Sequence, residues 1–166
     1  MSPFALTGRV ALITGGNGGI GLGMAHGLAE AGAAIAVAGR NRAKSEAAAG
    51  ELAKHGVKTA VLEVDVADEA SCRAMVDHAA ERLGRLDILI NNAGINIRKP
   101  PQELALSEWR RVIDTNLTGA FAAAHAAYPH MQRLGGGKII NIGSMMSIFG
   151  ATFASAYAAS KGASCK

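Results

Sequence analysis

The stretch RVALITGGNGGIGLGMAHGLAEAG, residues 9–32, decides the fold. Residues 9–14 form an apolar run of strand length, residues 19–31 read as a helix, and Gly32 supplies its stop. Between them lies Thr14-Gly15-Gly16-Asn17-Gly18-Gly19-Ile20-Gly21. Glycines there let the backbone pass close to a pyrophosphate, while the helix that follows points its positive N-terminal end at the phosphates. A strand, a glycine turn and a helix in that order mark the first crossover of a dinucleotide-binding unit; a plain tight turn is the alternative. No Gly-Lys-Ser/Thr follows to hold a nucleoside triphosphate and magnesium, which argues against an ATPase.

Outward from this unit the same alternation repeats. Further strands are predicted over residues 34–38, 59–64, 86–91 and 138–142, each short and rich in Val, Ile or Leu. Helices are predicted over residues 42–55, 69–83 and 107–134, with Gly56, Gly84 and Gly135 as stops. Pro100 and Pro101 force a loop before the long helix. Strands alternating with helices predict an α/β fold, a doubly wound parallel sheet in three layers, α/β/α. One domain spans residues 1–166 in this reading. A last helical pattern begins near Ser155 and is followed by no strand.

Several separated motifs then agree with one family. Thr14-Gly15-x-x-x-Gly19-Ile20-Gly21 resembles the glycine motif of short-chain dehydrogenases/reductases. Asp65-Val66 after the third strand resembles that family's adenine-contacting pair, and Asn91-Asn92-Ala93-Gly94 its next signature. Ser144 stands thirteen positions before Tyr157, which opens Tyr157-Ala158-Ala159-Ser160-Lys161, the family's catalytic arrangement. The likeness runs from Gly8 to about Gly162 and, within the family, is nearest in Asn96-Ile97-Arg98-Lys99-Pro100 and Ser147-Ile148-Phe149-Gly150 to its gluconate 5-dehydrogenase and 2-deoxygluconate 3-dehydrogenase members. It implies a Rossmann fold and reversible hydride transfer between NADP(H) or NAD(H) and a secondary alcohol or ketone.

The chemistry can also be argued from the residues. Tyrosine and lysine four apart on a helix share a face, where the ammonium charge lowers the phenol pKa toward the working pH. Taken singly, such a pair is as readily a solvated surface feature, and a serine at a strand end a turn former. In order and at family spacing, Tyr157 is the expected acid/base, Lys161 its activator and Ser144 the hydrogen-bond donor to the substrate oxygen. The resemblance adds Asn116, in Asp114-Thr115-Asn116-Leu117, as the residue holding a water that links Lys161 to solvent. The expected cofactor contacts are Gly15, Asn17, Gly18, Gly19, Ile20 and Gly21 in the turn, Arg40 after the second strand, and Asp65 and Val66. Asn92, Ala93, Gly94, Tyr157 and Lys161 complete the set.

An acidic residue after the second strand would bond the adenosine ribose hydroxyls of NAD and repel a 2′-phosphate. Gly39 and Arg40 stand there, with Arg42 and Lys44 nearby, so NADP is favoured and NAD stays open. Arg98 is either a fork for a substrate carboxylate or a solvated loop residue.

Composition bounds the alternatives. With 49% hydrophobic and 18% charged residues and 21 scattered glycines, the chain is expected to fold around a core. The net charge of +4 is spread without an aromatic-interleaved stripe, so no nucleic-acid partner is expected. Cys72 and Cys165 have neither metal-ligand nor disulfide-framework spacing, so no metal is expected and a reducing cytoplasm fits. The Met1-Ser2-Pro3-Phe4 start does not resemble a secretory leader, and no apolar run approaches the ~18 residues that span a membrane. Full members of the family continue through further strands, so a C-terminal truncation is expected. A homo-oligomer is expected of the full-length form and aggregation of this piece, with a non-catalytic fragment as the alternative function.

Overall fold

Val10, Ala11, Leu12 and Ile13 put four apolar side chains in succession, which suits a strand covered on both faces. In the computed structural model all five residues of β1 (Val10–Thr14) are buried. The structure describes residues 4–164; Met1 to Pro3 and Cys165 lie outside the described residues. From β1 the chain runs through α1 (Gly19–Glu30), β2 (Ala34–Gly39), α2 (Arg42–Ala53), β3 (Thr59–Glu63), α3 (Glu69–Leu83) and β4 (Ile88–Asn91). It continues through α4 (Leu106–Ile113), α5 (Gly119–Arg133), β5 (Lys138–Asn141) and α6 (Ser155–Ala163).

All five strands are parallel, in the order β3-β2-β1-β4-β5. Because successive side chains of a strand point to opposite faces, β1, β2 and β4 each feed two cores. Leu12, Ala36, Leu62 and Leu89 pack with Met75, Val76 and Ala127 of α3 and α5. Ala11, Ile13, Ile35, Val37, Ile88 and Ile90 pack with Ala25, Ala29 and Leu52 of α1 and α2. Helices therefore cover both faces, and the doubly wound three-layer architecture is the one the sequence predicts.

Local chemistry sets the element ends. The Asn41 side chain accepts from the Lys44 amide at 2.9 Å to open α2, and Asp68 accepts from Ala70 at 3.1 Å to open α3. Each of the four glycines predicted as stops, Gly32, Gly56, Gly84 and Gly135, takes a left-handed φ between 76° and 96°.

The single long helix predicted over residues 107–134 is corrected. A π-helical turn, Asp114–Thr118, separates α4 from α5. Its extra residue widens the backbone, letting Asn116 turn inward to Ile95 while Gly119 sits against the carbonyl of Val66. The fourth strand begins at Ile88 rather than residue 86, yet ladder bonds already run through Asp87: its amide donates to Val10 at 3.0 Å and its carbonyl accepts from Lys138 at 2.8 Å. All four residues of β5 are exposed, and its outer edge pairs with no strand among the described residues.

Candidate functional site

The strand order reverses between β1 and β4, and the crevice at such a point is where open α/β sheets hold ligands. Thr14, at the end of β1, knits it together. Its hydroxyl accepts from the amides of Asn92 and Ala93, both at 3.1 Å. The Asn92 side chain in turn donates to the carbonyls of Thr14 at 3.0 Å and Gly15 at 3.3 Å. The two motifs predicted to bind cofactor thus form one floor. Gly15 has φ 65°, and a Cβ on Gly21 would fall on the Gly15 carbonyl and the Asn92 amide, so the turn closes only without side chains. Open space lies over Gly19, at the positive end of α1, while the Ile20 side chain is 73% exposed. A backbone cradle bare of side chains at a helix N-terminus fits a pyrophosphate.

From this turn a cleft of about 720 Å³ extends along the ends of β2 and β3. Asn17, Arg40 and Lys44 line one wall; Asp65, Val66, Ala93 and Gly94 line the other. Asn17 donates to Ser45 Oγ at 2.9 Å, fastening the glycine turn to α2. Arg42 also lines the cleft, its guanidinium paired with Glu46 at 2.8 Å. The Asp65 carboxylate accepts from the Ala67 amide at 3.1 Å in the loop after β3.

The predicted catalytic residues gather at the end of β5. Lys161 is 5% exposed, its Nζ donating to the Ile142 carbonyl at 2.6 Å and lying 5.8 Å from the centre of the Tyr157 ring. Ser144 follows β5 and caps the turn Met145–Ser147, its Oγ accepting from Met146 at 3.2 Å. Ser147 Oγ accepts from the Ser144 amide at 3.1 Å and donates to the Lys161 carbonyl at 2.9 Å, so one hydroxyl joins the serine loop to α6. Among the described residues no hydrogen bond joins Ser144 directly to Tyr157. Asn116 is 3% exposed and fully engaged: Oδ1 accepts from Ile95 at 2.8 Å, and Nδ2 donates to Ile95 at 2.9 Å and to Ser160 Oγ at 3.1 Å. Its side chain ties the π turn to α6 beside Lys161.

Beyond Ile95, Arg98 stacks on Phe153, 4.5 Å from the ring centre. Lys99 binds Glu108 at 2.6 Å; that bond and the Ala105 amide hold the Glu108 carboxyl below its ordinary range. Among the described residues, no cluster of three or more His, Cys, Asp or Glu is placed to hold a metal ion, and no helix is long and apolar enough to cross a membrane.

The sequence reading missed Thr14, Ser147 and Ser160 as site residues. Ser147 lies three positions after Ser144, the spacing of a capping hydroxyl, and Ser160 sits inside the Tyr157–Lys161 motif. Thr14 opens the glycine motif, but its bonding role was hidden, because its partners lie about eighty residues away.

A family model described as short chain dehydrogenase matches residues 9–166. The 2-dehydro-3-deoxy-D-gluconate 5-dehydrogenase of Formosa agariphila is 39% identical over 160 residues, covering 96% of this chain and 61% of its own length. The 5-keto-D-gluconate 5-reductase of Escherichia coli is 38% identical, with 96% and 63% covered. A crystal structure of a gluconate 5-dehydrogenase from Burkholderia cenocepacia, in complex with NADP and tartrate, superposes with a TM-score of 0.91 at 44% identity, with 96% of this chain and 63% of that one covered. The chain therefore spans a little over three-fifths of the length of these relatives.

Proposed function

The chain belongs to the short-chain dehydrogenase family, and from that premise we propose that it serves an NADP(H)-dependent oxidoreductase interconverting a secondary alcohol and a ketone on a sugar acid or polyol. The observation that carries this reading is the buried Lys161 ammonium beside the Tyr157 ring on one face of α6. The phenol hydroxyl on that face is the group placed to exchange a proton with the substrate oxygen. Tyr157 then takes the hydroxyl proton in the oxidative direction and returns it to the carbonyl oxygen in reduction. Ser144 donates a hydrogen bond to that oxygen while negative charge develops on it. The bound nicotinamide supplies or accepts the hydride. Asn116 holds the π turn against α6, and the glycine turn with Arg40 binds the dinucleotide.

The substrate class rests on two supports. The relatives are named for gluconate derivatives, and Arg98, held over Phe153, presents a planar fork suited to a carboxylate. NADP is preferred to NAD because the wall after β2 carries Arg40 and no carboxylate. A second reading, nucleotide binding without catalysis, draws on the glycine cradle at the N-terminus of α1, which needs none of Ser144, Tyr157 or Lys161.

The test extends the chain with the C-terminal region that the Burkholderia enzyme carries and measures NADPH-dependent reduction of a panel of keto-sugar acids and simple ketones. Tyr157→Phe is expected to lower turnover by at least about 10²-fold while leaving NADPH affinity nearly intact. Ser144→Ala is expected to cost about 10²–10³-fold in turnover. Retained activity in Tyr157→Phe removes the proposed mechanism; NADPH binding with no reduction of any carbonyl selects the second reading.

A further inference from the structure

The basic residues after β2 look equivalent in sequence, but the structure sorts them. Arg42 is neutralised by Glu46 at 2.8 Å. All three line the cleft, but Arg40 and Lys44 form no ion pair among the described residues. Lys44 lies in the first turn of α2, which contains no acidic residue. A cation at the positive end of a helix is unfavourable unless an anion answers it. The side chain reaches across to the glycine turn, where a Cβ on Gly18 would lie 2.6 Å from Lys44 Nζ and 2.9 Å from its Cε. Gly18 has extended backbone, φ 175°, open to any residue, so glycine at this position leaves the space to the lysine.

The N-terminus of α1 adjoins the same point, because Gly18 is its cap. Two helix N-termini and Lys44 thus meet at Gly18. Arg40 lines the same cleft, and the one carboxylate among the described residues that line it, Asp65, accepts from the Ala67 amide. There is no ready space for an acid at the end of β2: a Cβ on Gly39 would stand 2.6 Å from Asn17 Nδ2, which is already committed to Ser45.

We propose that Lys44 is a cofactor-discriminating residue, closing over Gly18 a pocket that, with Arg40, takes a phosphate monoester on the 2′ position of the adenosine ribose. This rests on the NADP(H) reading and deepens it by naming the residue that confers the preference. The ammonium acts as a point charge on a flexible stem, whereas Arg40 supplies a fork; a dianionic phosphate accepts from both.

Calorimetric titration of the 166-residue chain with NADPH, NADH, adenosine 2′,5′-bisphosphate and AMP, at one fixed ionic strength, tests this. Lys44→Ala is expected to weaken NADPH and the bisphosphate about 10- to 100-fold, the range for losing a hydrogen bond to a charged group, and NADH and AMP less than about twofold. Lys54→Ala removes the same charge at the far end of α2 and is expected to leave all four ligands within about twofold. Gly18→Arg introduced into Lys44→Ala is expected to recover most of the lost NADPH affinity, since it returns a cation to the same space. If Lys44→Ala leaves the NADPH-to-NADH ratio unchanged while Arg40→Ala collapses it, the role of Lys44 is overturned and the NADP reading stands. Equal losses in Lys54→Ala replace the pocket with diffuse charge. A parent chain with no preference between NADPH and NADH, or with affinity for neither, sinks the cofactor reading and this inference together.

Discussion

Asp87 shows how a single side chain can hold one end of the sheet. Its carboxylate is 5% exposed and accepts from Arg9 at 2.8 Å, from Arg85 at 2.8 and 2.7 Å, and from the Val10 amide at 2.9 Å. Burial alone pushes its pKa up, but the hydrogen bonds from Arg85, Arg9 and Val10 outweigh burial and hold it below the ordinary carboxylate value. A group whose folded pKa is depressed contributes stability above its unfolded pKa of about 3.9, and that contribution is lost as pH falls through the folded value. Asp87→Asn is therefore expected to cost about 1.5–3 kcal/mol at neutral pH and to flatten the acid limb of the stability profile. Urea denaturation between pH 7 and 3 checks it; a variant profile parallel to the parent's removes the assignment. Cys72 behaves in the opposite sense. Burial, reinforced by Asp68, Asp65 and Glu69, pushes its thiol up to about 11 while Sγ donates to the Val66 carbonyl at 3.4 Å, which makes it an inert core residue.

Among the elements, the join between α4 and α5 decides where the site sits. The π turn places Asn116 against Ile95 and Ser160, and Gly119 ends it under the carbonyl of Val66. A methyl at position 119 would stand on that oxygen, and backbone cannot retreat as the tip of a long side chain does. Gly119→Ala is expected to lower stability by about 1–3 kcal/mol, the usual cost of overpacking, read as a lower thermal midpoint by circular dichroism. An unchanged midpoint means that α5 can slide, and the close approach is then incidental. This same element shows where sequence reading stopped. Residues 107–134 keep a helical pattern throughout, and one inserted residue leaves no mark in a 3.6-residue period, so the break was invisible. The helix stops were legible because a left-handed φ leaves a glycine behind at Gly32, Gly56, Gly84 and Gly135. In the candidate site the glycine turn, Asn92-Ala93-Gly94 and the Tyr157–Lys161 pair were legible as local patterns. The Thr14 hydroxyl and the reach of Lys44 over Gly18 were not, since each depends on a partner distant in sequence that only packing brings near.

For the whole molecule, the two sides of the sheet are unequally protected. The β3 side is flanked by α2 and α3, whereas β5 exposes all four of its residues, with Ile139 at 39% and Ile140 at 44%. On α5, Phe121 is 71% and Tyr128 58% exposed, so apolar surface continues from the strand onto its neighbouring helix. An unpaired strand presents a row of free amides and carbonyls, and apolar side chains around it remove the penalty that charge would impose on a second chain. Lys138 is the only charged residue on β5, set at its beginning rather than along it. The purified 166-residue chain is therefore expected to self-associate in a concentration-dependent way, seen as a rising weight-average mass by light scattering. Ile140→Lys, which places a charge in the middle of the exposed strand, is expected to reduce that association without removing the fold. A monodisperse monomer with a sharp cooperative melt would mean that the chain protects this edge by itself, and the exposed residues of β5 and α5 would then need another explanation.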